Sequence, residues 1–450
     1  MPRISRHAWG TPSVAETDRY SRPPAKVQSH EGVRIRKRLR RSAPTLYQAA
    51  VRAYRLVERA LGALTATVHL LVLSATRRSR SAHAIAARPD LRVVLDGCIF
   101  QERPFGIARL WRAIMAEWSE SGFSKSVVVL DRGGTAPRFP GFEYRRTPRL
   151  RAHDSITQRR MLEAVCRAEA ADLAVSTWYT CPTKTRSLLY VYDMTPEIGE
   201  WNLDEPIWRE KAAAIAHASA YACLSQNTLN DLVTEFPEAA NKPNTLVLPG
   251  VEASFVPASQ AKIAELASRL ALPANYYLFI GYRDAYKNAD LLFEALPLLH
   301  DTEDFGVLLI GGAPQLEPGF ALLAGNVPVR LASLSDDELR AAYTGAAALL
   351  YLSRYEGFGL PILEAMACGC PVITCRNSSL PEAAGDAAIY VDSDDPHALR
   401  EAMLRVREPR AREALIASGH ERARMFRWPQ AATILGGAIE AAAKSGESSQ

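Results

Sequence analysis

The sequence lacks the features of a disulfide framework, a structural metal site or an exported protein. Its 450 residues include 7 cysteines, and none of them forms a Cys-x-x-Cys pair. Scattered cysteines in a chain of this length indicate a reducing compartment. No Asp-x-Asp pair stands at the end of a strand-like run, so we expect no divalent metal site. The first residues contain no apolar segment typical of a signal peptide, and we expect none.

Basic residues are concentrated at one end of the chain. Residues 1–90 contain 18 Lys and Arg but only 5 Asp and Glu, whereas the whole chain has a net charge of +5. The remainder is therefore acidic overall. Such an asymmetry indicates a polyanionic partner, either a membrane or a nucleic acid. Nucleic acid is the weaker alternative, because no recognition motif accompanies the basic residues.

The basic N-terminal arm divides into two segments. Residues 1–43 are rich in Pro, Ser and Arg, so we predict that they are disordered. Residues 44–80 have apolar side chains at spacings of three and four, which predicts an amphipathic helix. Its 17 uncharged residues, 60–76, are at the lower limit for a membrane span. Flanking arginines favour a helix lying on the membrane, so we expect peripheral membrane contact through residues 34–80. A helix packed on the body or on a second subunit, or a true span, remains an alternative.

The body alternates strand-like apolar runs with helical patterns. This alternation predicts βαβ units and an α/β fold of two Rossmann-like, doubly wound parallel-sheet domains. We assign residues 91–253 to an N-terminal domain and residues 254–430 to a C-terminal domain. Residues 431–450 are predicted to form a C-terminal helix and tail. Ligands in such folds bind at the carboxyl ends of the strands.

The strongest motif spans residues 354–369 and follows an apolar strand. Glu356 precedes a turn with Gly357 and Gly359, and Pro361 then begins a helix. Glycine amides and a helix N-terminus suit a phosphate, and Glu364, predicted in the first turn, could accept from sugar hydroxyls. The alternative is a capped helix in which Glu364 only favours the helix dipole.

A second motif, residues 281–288, directly follows another predicted strand. It contains Arg283 and Lys287. Arginine grips a phosphate with two parallel hydrogen bonds, and lysine acts as a point charge. The alternative is a solvated basic loop. Together with the glycine turn, the motif predicts a site for a diphosphate.

The Glu-x7-Glu spacing of Glu356 and Glu364, with Gly-Phe-Gly and Leu-Pro between them, resembles glycosyltransferase family 4. These are retaining, nucleotide-sugar-dependent enzymes with the two-domain GT-B fold, and the resemblance covers roughly residues 91–435. It implies that residues 91–253 form the acceptor-side domain and residues 254–430 the donor-binding domain. It also implies that Glu356, Arg283 and Lys287 form the catalytic set. It also implies a donor-binding set that consists of Gly357, Phe358, Gly359, Leu360, Glu364 and Gly311.

The N-terminal domain carries less specific motifs. Residues 193–197, 208–211 and 225–228 resemble bacterial mannosyltransferase-like members of the family. The resemblance implies that Gly106 and Asp193 lie on the acceptor side. Relatives often have two glycines in the first loop of this domain, where this chain has Phe105 and Gly106. Many relatives have a histidine before the aspartate, where this chain has Tyr192.

The function predicted from the sequence is a retaining transfer of a mannose-like hexose from a nucleotide-diphosphate sugar to a lipid-linked or surface-polysaccharide acceptor. We expect no cofactor and no metal, because protein cations and amides would stabilise the leaving diphosphate. The expected location is cytoplasmic, peripheral on the inner face of the plasma membrane. A non-catalytic sugar-nucleotide-binding scaffold and a sugar-nucleotide epimerase are the alternatives.

Overall fold

The computed structural model describes Val57 and residues 90–101, 106–150, 153–199, 201–283, 285–299 and 305–445. The predicted disordered arm (1–43) and amphipathic helix (44–80) therefore lie outside the described residues, apart from Val57. Among the residues described, we find no helix whose length and hydropathy would let it cross a bilayer.

The N-terminal domain is built on a seven-stranded parallel sheet with the order β3-β2-β1-β4-β5-β6-β7. Its first strand lies near the centre, where Val93 pairs with Val127 on one side and with Leu173 on the other. Both β1 and β2 are buried along their whole length, as parallel strands covered by helices on both faces must be. The strands are β1 Val93–Asp96, β2 Val127–Arg132, β3 Glu143–Thr147, β4 Leu173–Ser176, β5 Ser187–Val191, β6 Ala220–Cys223 and β7 Asn244–Leu246.

Helices connect these strands and cover the sheet. They are α1 Gly106–Ser121, α2 Ile156–Ala168, α3 Thr195–Ile198, α4 Pro206–His217 and α5 Gln226–Glu235. Ser225 caps α5 by accepting from the Thr228 amide, which explains why α5 begins where it does.

The C-terminal domain repeats this arrangement with six parallel strands in the order β10-β9-β8-β11-β12-β13. The strands are β8 Tyr276–Ile280, β9 Gly306–Ile310, β10 Val329–Ala332, β11 Ala348–Tyr351, β12 Val372–Cys375 and β13 Ile389–Val391. The helices are α6 Gln260–Leu270, α7 Ala289–Ala295, α8 Pro318–Ala324, α9 Asp336–Gly345, α10 Leu360–Ala367, α11 Leu380–Ala384, α12 Pro396–Arg405 and α13 Pro409–Arg424. The predicted class, two doubly wound parallel-sheet domains, is confirmed.

The last helix, α14 (Trp428–Lys444), returns to the N-terminal domain. The Trp118 indole of α1 donates to the Ala432 carbonyl of α14 at 3.0 Å. Leu435 and Ile439 are fully buried in the same core. The end of the described chain therefore stabilises the first domain, and the polypeptide crosses between the domains twice.

Candidate functional site

The loop that follows β11 carries the predicted Glu-x7-Glu motif into the crevice between the domains. Gly359 has φ 110°, a conformation that favours glycine, and α10 begins at the next residue. Pro361 follows in the first turn, where a missing N–H costs no helical hydrogen bond. Phe358 is 2% exposed and packs against Phe426, so it anchors the loop through its side chain. The turn therefore brings the N-terminus of α10 to the crevice.

Lys287 and Glu356 form an ion pair beside this turn. The Lys287 ammonium lies 2.5 Å from Glu356 Oε1, and the Ser353 hydroxyl donates to the same oxygen at 2.6 Å. The two side chains are only 13% and 14% exposed. Burial opposes the charged form of Lys287, but the Glu356 carboxylate and Tyr351 outweigh it and raise the pKa of Lys287 above its ordinary value. A lysine held in its charged form and paired with a carboxylate therefore stands at the carboxyl ends of β8 and β11.

Arg283 does not join this pair but holds the loop that follows β9. Its guanidinium donates to the Gly311 and Ala313 carbonyls at 3.2 and 2.9 Å, and its Nε lies 2.7 Å from a Glu317 oxygen. The Arg283 side chain is only 1% exposed. A Cβ at Gly312 would fall 2.8 Å from Arg283 Nη1, so glycine there leaves room for the guanidinium. Arg283 thus shapes the loop that carries Gly311, and its predicted contact with diphosphate stays a prediction.

Glu364 lies in α10 one residue beyond the first turn in which we predicted it, because the helix begins at Leu360. The Tyr343 hydroxyl donates to Glu364 Oε2 at 3.0 Å. Arg109, from α1 of the opposite domain, reaches Glu364 Oε1 at 3.4 Å. Burial raises the pKa of Glu364, although the Arg109 cation and the Tyr343 hydroxyl act in the opposite direction.

The N-terminal domain contributes the end of β5 to the same crevice. A Cβ at Gly357 would fall 2.1 Å from the Tyr192 carbonyl oxygen, so only glycine permits this approach between the domains. The Thr228 hydroxyl, near the start of α5, lies 3.4 Å from the Tyr192 carbonyl oxygen and 3.3 Å from the Gly357 carbonyl oxygen. The Glu356–Gly359 turn and the acceptor-side strand end are therefore in direct contact.

The structure gives different environments to the two predicted acceptor-side residues, Asp193 and Gly106, and to Tyr192, which precedes Asp193. Asp193 Oδ1 accepts from the Thr195 amide at 2.9 Å, in the turn that leads into the short helix α3. Tyr192 turns into the core, where it accepts from the Trp111 indole at 2.6 Å and donates to the Thr177 carbonyl at 3.0 Å. Gly106 is the first residue of α1. Of these three, only Asp193 offers a side chain beside the Gly357 turn.

A second contact between the domains lies at the N-terminus of α5. The Glu382 carboxylate, in α11, accepts from the amides of Gln226 and Asn227 at 2.7 and 2.8 Å. A carboxylate at a helix N-terminus is favourable, because it satisfies free N–H groups and complements the helix dipole.

Within the described residues, no group of three His, Cys, Asp or Glu side chains is arranged to hold a metal ion. The predicted independence from metal and cofactor stays a prediction.

The fold is that of the GT-B glycosyltransferases. Sucrose-phosphate synthase from Thermosynechococcus elongatus superposes with a TM-score of 0.60 at 18% identity, over 78% of this chain and 98% of that one. Anabaena HepE, solved with UDP and glucose, superposes with a TM-score of 0.60 at 15% identity, over 78% and 99% of the two chains.

The sequence comparisons find similarity to glycosyltransferases over part of the chain. Residues 274–408 match the family model described as glycosyl transferases group 1. O-antigen chain mannosyltransferase B of Escherichia coli is 32% identical over 195 residues, 40% of this chain and 49% of the relative. D-inositol 3-phosphate glycosyltransferase of Salinispora tropica is 30% identical, over 48% of this chain and 49% of the relative. The chain thus spans about half the length of the curated relatives it matches. The C-terminal domain is therefore similar in sequence to group 1 glycosyl transferases, and the two-domain chain has the GT-B fold.

The structure brings together Lys287, Glu356 and the Gly357–Leu360 turn with Asp193 of the other domain. Arg283, in the loop after β8, instead binds the loop that carries Gly311. Sequence reasoning missed Arg109 and Glu382. Neither stands in a motif, and their contacts depend on how the two domains meet.

Proposed function

We propose that the chain is a retaining glycosyltransferase that moves a mannose-like hexose from a nucleotide-diphosphate sugar to a lipid-linked or surface-polysaccharide acceptor. The observation that carries the proposal is the Lys287–Glu356 pair beside the N-terminus of α10, facing Asp193 across the crevice. The names of the Escherichia coli mannosyltransferase relatives support the choice of sugar. The retaining outcome rests on the resemblance to family 4.

The proposed reaction requires the site to stabilise a leaving nucleoside diphosphate. As the bond between the anomeric carbon and the phosphate oxygen breaks, negative charge develops on that oxygen. The Lys287 ammonium and the amides at the start of α10 are fixed before the reaction begins, so they stabilise this charge without reorganising. An acceptor hydroxyl entering from the Asp193 side would then bond to the anomeric carbon and lose its proton to the departing diphosphate oxygen.

Glu364 would receive the other end of the donor. It lies further along α10, buried between Tyr343 and Arg109. A carboxylate in this position accepts hydrogen bonds from a ribose diol, so the donor would extend along α10 with its diphosphate at the helix N-terminus. The same carboxylate, when protonated, would lose this capacity.

A phosphorylated polyol is the second candidate acceptor. Several relatives are D-inositol 3-phosphate glycosyltransferases, at 29–30% identity over about half of this chain. This alternative shares the donor site and differs only in what enters beside Asp193.

A binding panel tests the donor proposal. The full chain is melted in the presence of UDP-, GDP-, ADP- and dTDP-sugars, with free glucose and inorganic phosphate as controls. A donor at 100 times its dissociation constant adds about 2.7 kcal/mol to the free energy of unfolding. We expect one nucleotide-sugar to raise the melting temperature and Glu364→Gln to reduce that rise. A chain that none of the four donors stabilises would contradict the proposal.

A further inference from the structure

Arg109 lies at the junction of the two domains and the connection between them. Its guanidinium is 3.4 Å from Glu364 in α10, 3.4 Å from Glu252 in the linker and 3.8 Å from Asp336 at the start of α9. The guanidinium also lies over the Phe255 ring, 5.3 Å from its centroid. One cation from the N-terminal domain therefore faces three carboxylates, two of which belong to the C-terminal domain.

This arrangement bears directly on Glu364. The residue is 8% exposed, and burial penalises its charged form. The groups that face it are Arg109, the Tyr343 hydroxyl, the carboxylates of Glu252 and Asp336, and the thiol of Cys368. Arg109 is the cation among them, so its removal would leave a buried carboxylate beside two further negative charges. Such a group takes up a proton instead of staying charged.

We propose that Arg109 is a positioning residue of the donor site. From the opposite domain, it holds the Glu364 carboxylate in place for the ribose hydroxyls of a nucleoside diphosphate. This inference rests on the proposed function, in which Glu364 receives the ribose. Because Arg109 belongs to the N-terminal domain, tight nucleotide binding requires the two domains to be together. The side chain is 26% exposed, so it borders the crevice without filling it.

The test measures dissociation constants by calorimetry for UDP, GDP and ADP and for their 2′-deoxy counterparts, with the full chain between pH 6 and pH 9. The variants are Arg109→Ala, Arg109→Gln, Glu364→Gln and the pair Arg109→Gln with Glu364→Gln. Arg112→Ala is the matched control, because Arg112 is exposed on the same helix. Arg109→Gln keeps most of the side chain and serves if Arg109→Ala does not fold.

We expect Arg109→Gln to weaken binding of the preferred nucleotide about tenfold at pH 7.5, the loss typical of a hydrogen bond to a charged group. On acidification, the affinity for the nucleotide should begin to fall at a higher pH than in the wild type, because Glu364 then protonates more readily. Discrimination between ribose and 2′-deoxyribose should fall. In the Glu364→Gln background, Arg109→Gln should add little, since both act on one contact. Arg112→Ala should bind as the wild type does.

Two results would overturn the inference. One is an Arg109→Gln variant whose dissociation constants depend on pH as those of the wild type do and which distinguishes ribose from 2′-deoxyribose nucleotides equally well. The other is a double variant whose loss equals the product of the two single losses, which would make Arg109 independent of Glu364. If no nucleotide binds the wild-type chain, the proposed function fails as well. If the wild type binds and Arg109→Gln matches it, only this inference fails.

Discussion

Lys287 is the residue on which the proposed leaving-group stabilisation depends. Its pair with Glu356 is largely shielded from solvent, so the charge is not screened as a surface charge would be. We expect Lys287→Met to lower the transfer rate by an amount equivalent to about 2–4 kcal/mol, as removal of a charge-stabilising group does. The melting temperature should also fall, because Glu356 is left without its cation. Steady-state rates and thermal melts measure both effects.

The matched control for Lys287→Met is Lys262→Met. Lys262 is 51% exposed and lies 3.6 Å from Glu265 on the surface of α6. Exposed pairs of this kind contribute little, so activity and stability should stay close to those of the wild type. A Lys287→Met enzyme with wild-type turnover would remove Lys287 from the donor site.

Glu143 gives a pH prediction that does not involve the crevice. Hydrogen bonds from Arg92 and Arg145 outweigh desolvation and lower the pKa of Glu143 to about 2, from 4.5. A carboxyl whose pKa is depressed in the folded state contributes stability above its unfolded pKa and loses that contribution as the pH falls toward the folded value. Stability should therefore decline between about pH 4.5 and pH 2.

The measurement is the urea midpoint at pH 6 and at pH 3. Glu143→Gln should lower the urea midpoint at pH 6 and reduce the difference between the midpoints at pH 6 and pH 3. Glu120→Gln, at an exposed position on α1, is the control and should leave both midpoints unchanged. An equal pH response in wild type and Glu143→Gln would contradict the assignment.

At the scale of elements, the sequence predicts the buried central strands and the start of α10 well, but it does not reveal the polar strands β3 and β7. Both signals are local: buried apolar runs produce the strands, and the glycine turn followed by proline sets where the helix begins. The contacts of Arg109, Arg283 and Glu382 could not be predicted in this way. Each joins elements distant in the sequence, and nothing in a motif states which carbonyl or carboxylate the packed domains bring within reach.

The turn before α10 leads to a prediction about Gly357. In Gly357→Ala the new Cβ would fall 2.1 Å from the Tyr192 carbonyl oxygen, far inside contact distance. The turn or the end of β5 must shift by about 1 Å, a displacement that can cost roughly 100-fold in rate. We expect a loss of transfer activity with the fold retained, measured by steady-state kinetics and circular dichroism.

Gly437→Ala is the control for that variant. No atom lies within 4 Å of a Cβ at Gly437, which is in the α14 helix. Alanine in a helix is more favourable than glycine by about 1 kcal/mol, so this variant should be active and slightly more stable. Full activity in Gly357→Ala would show that catalysis does not need the Gly357–Tyr192 contact.

At the scale of the whole molecule, the basic arm is proposed to hold the crevice at a membrane. The sequence places six cations between Arg34 and Arg41, and each is worth about 1 kcal/mol near an anionic bilayer. The full chain should sediment with anionic vesicles at low salt and leave them partly at high salt, because salt screens the attraction. Deletion of residues 1–90 should lower activity on a lipid-linked acceptor far more than on a soluble analogue.

The outcomes of the vesicle experiment separate the three alternatives for the arm. Binding that persists at every salt concentration would favour a membrane span. No sedimentation, with equal loss of activity on both acceptors after deletion, would favour an arm packed on the body or on a second subunit. Either result would contradict peripheral membrane contact.

Acceptor-dependent transfer with determination of the product's anomeric configuration tests the central claim most directly. The full chain is incubated with the nucleotide-sugar that stabilises it, with and without a mannose-terminated acceptor, in the presence and absence of EDTA. We predict nucleoside diphosphate release only when the acceptor is present, insensitivity to EDTA, and a product with the anomeric configuration of the donor. Binding without turnover, release that does not require acceptor, or a product of inverted configuration would contradict a retaining glycosyltransferase.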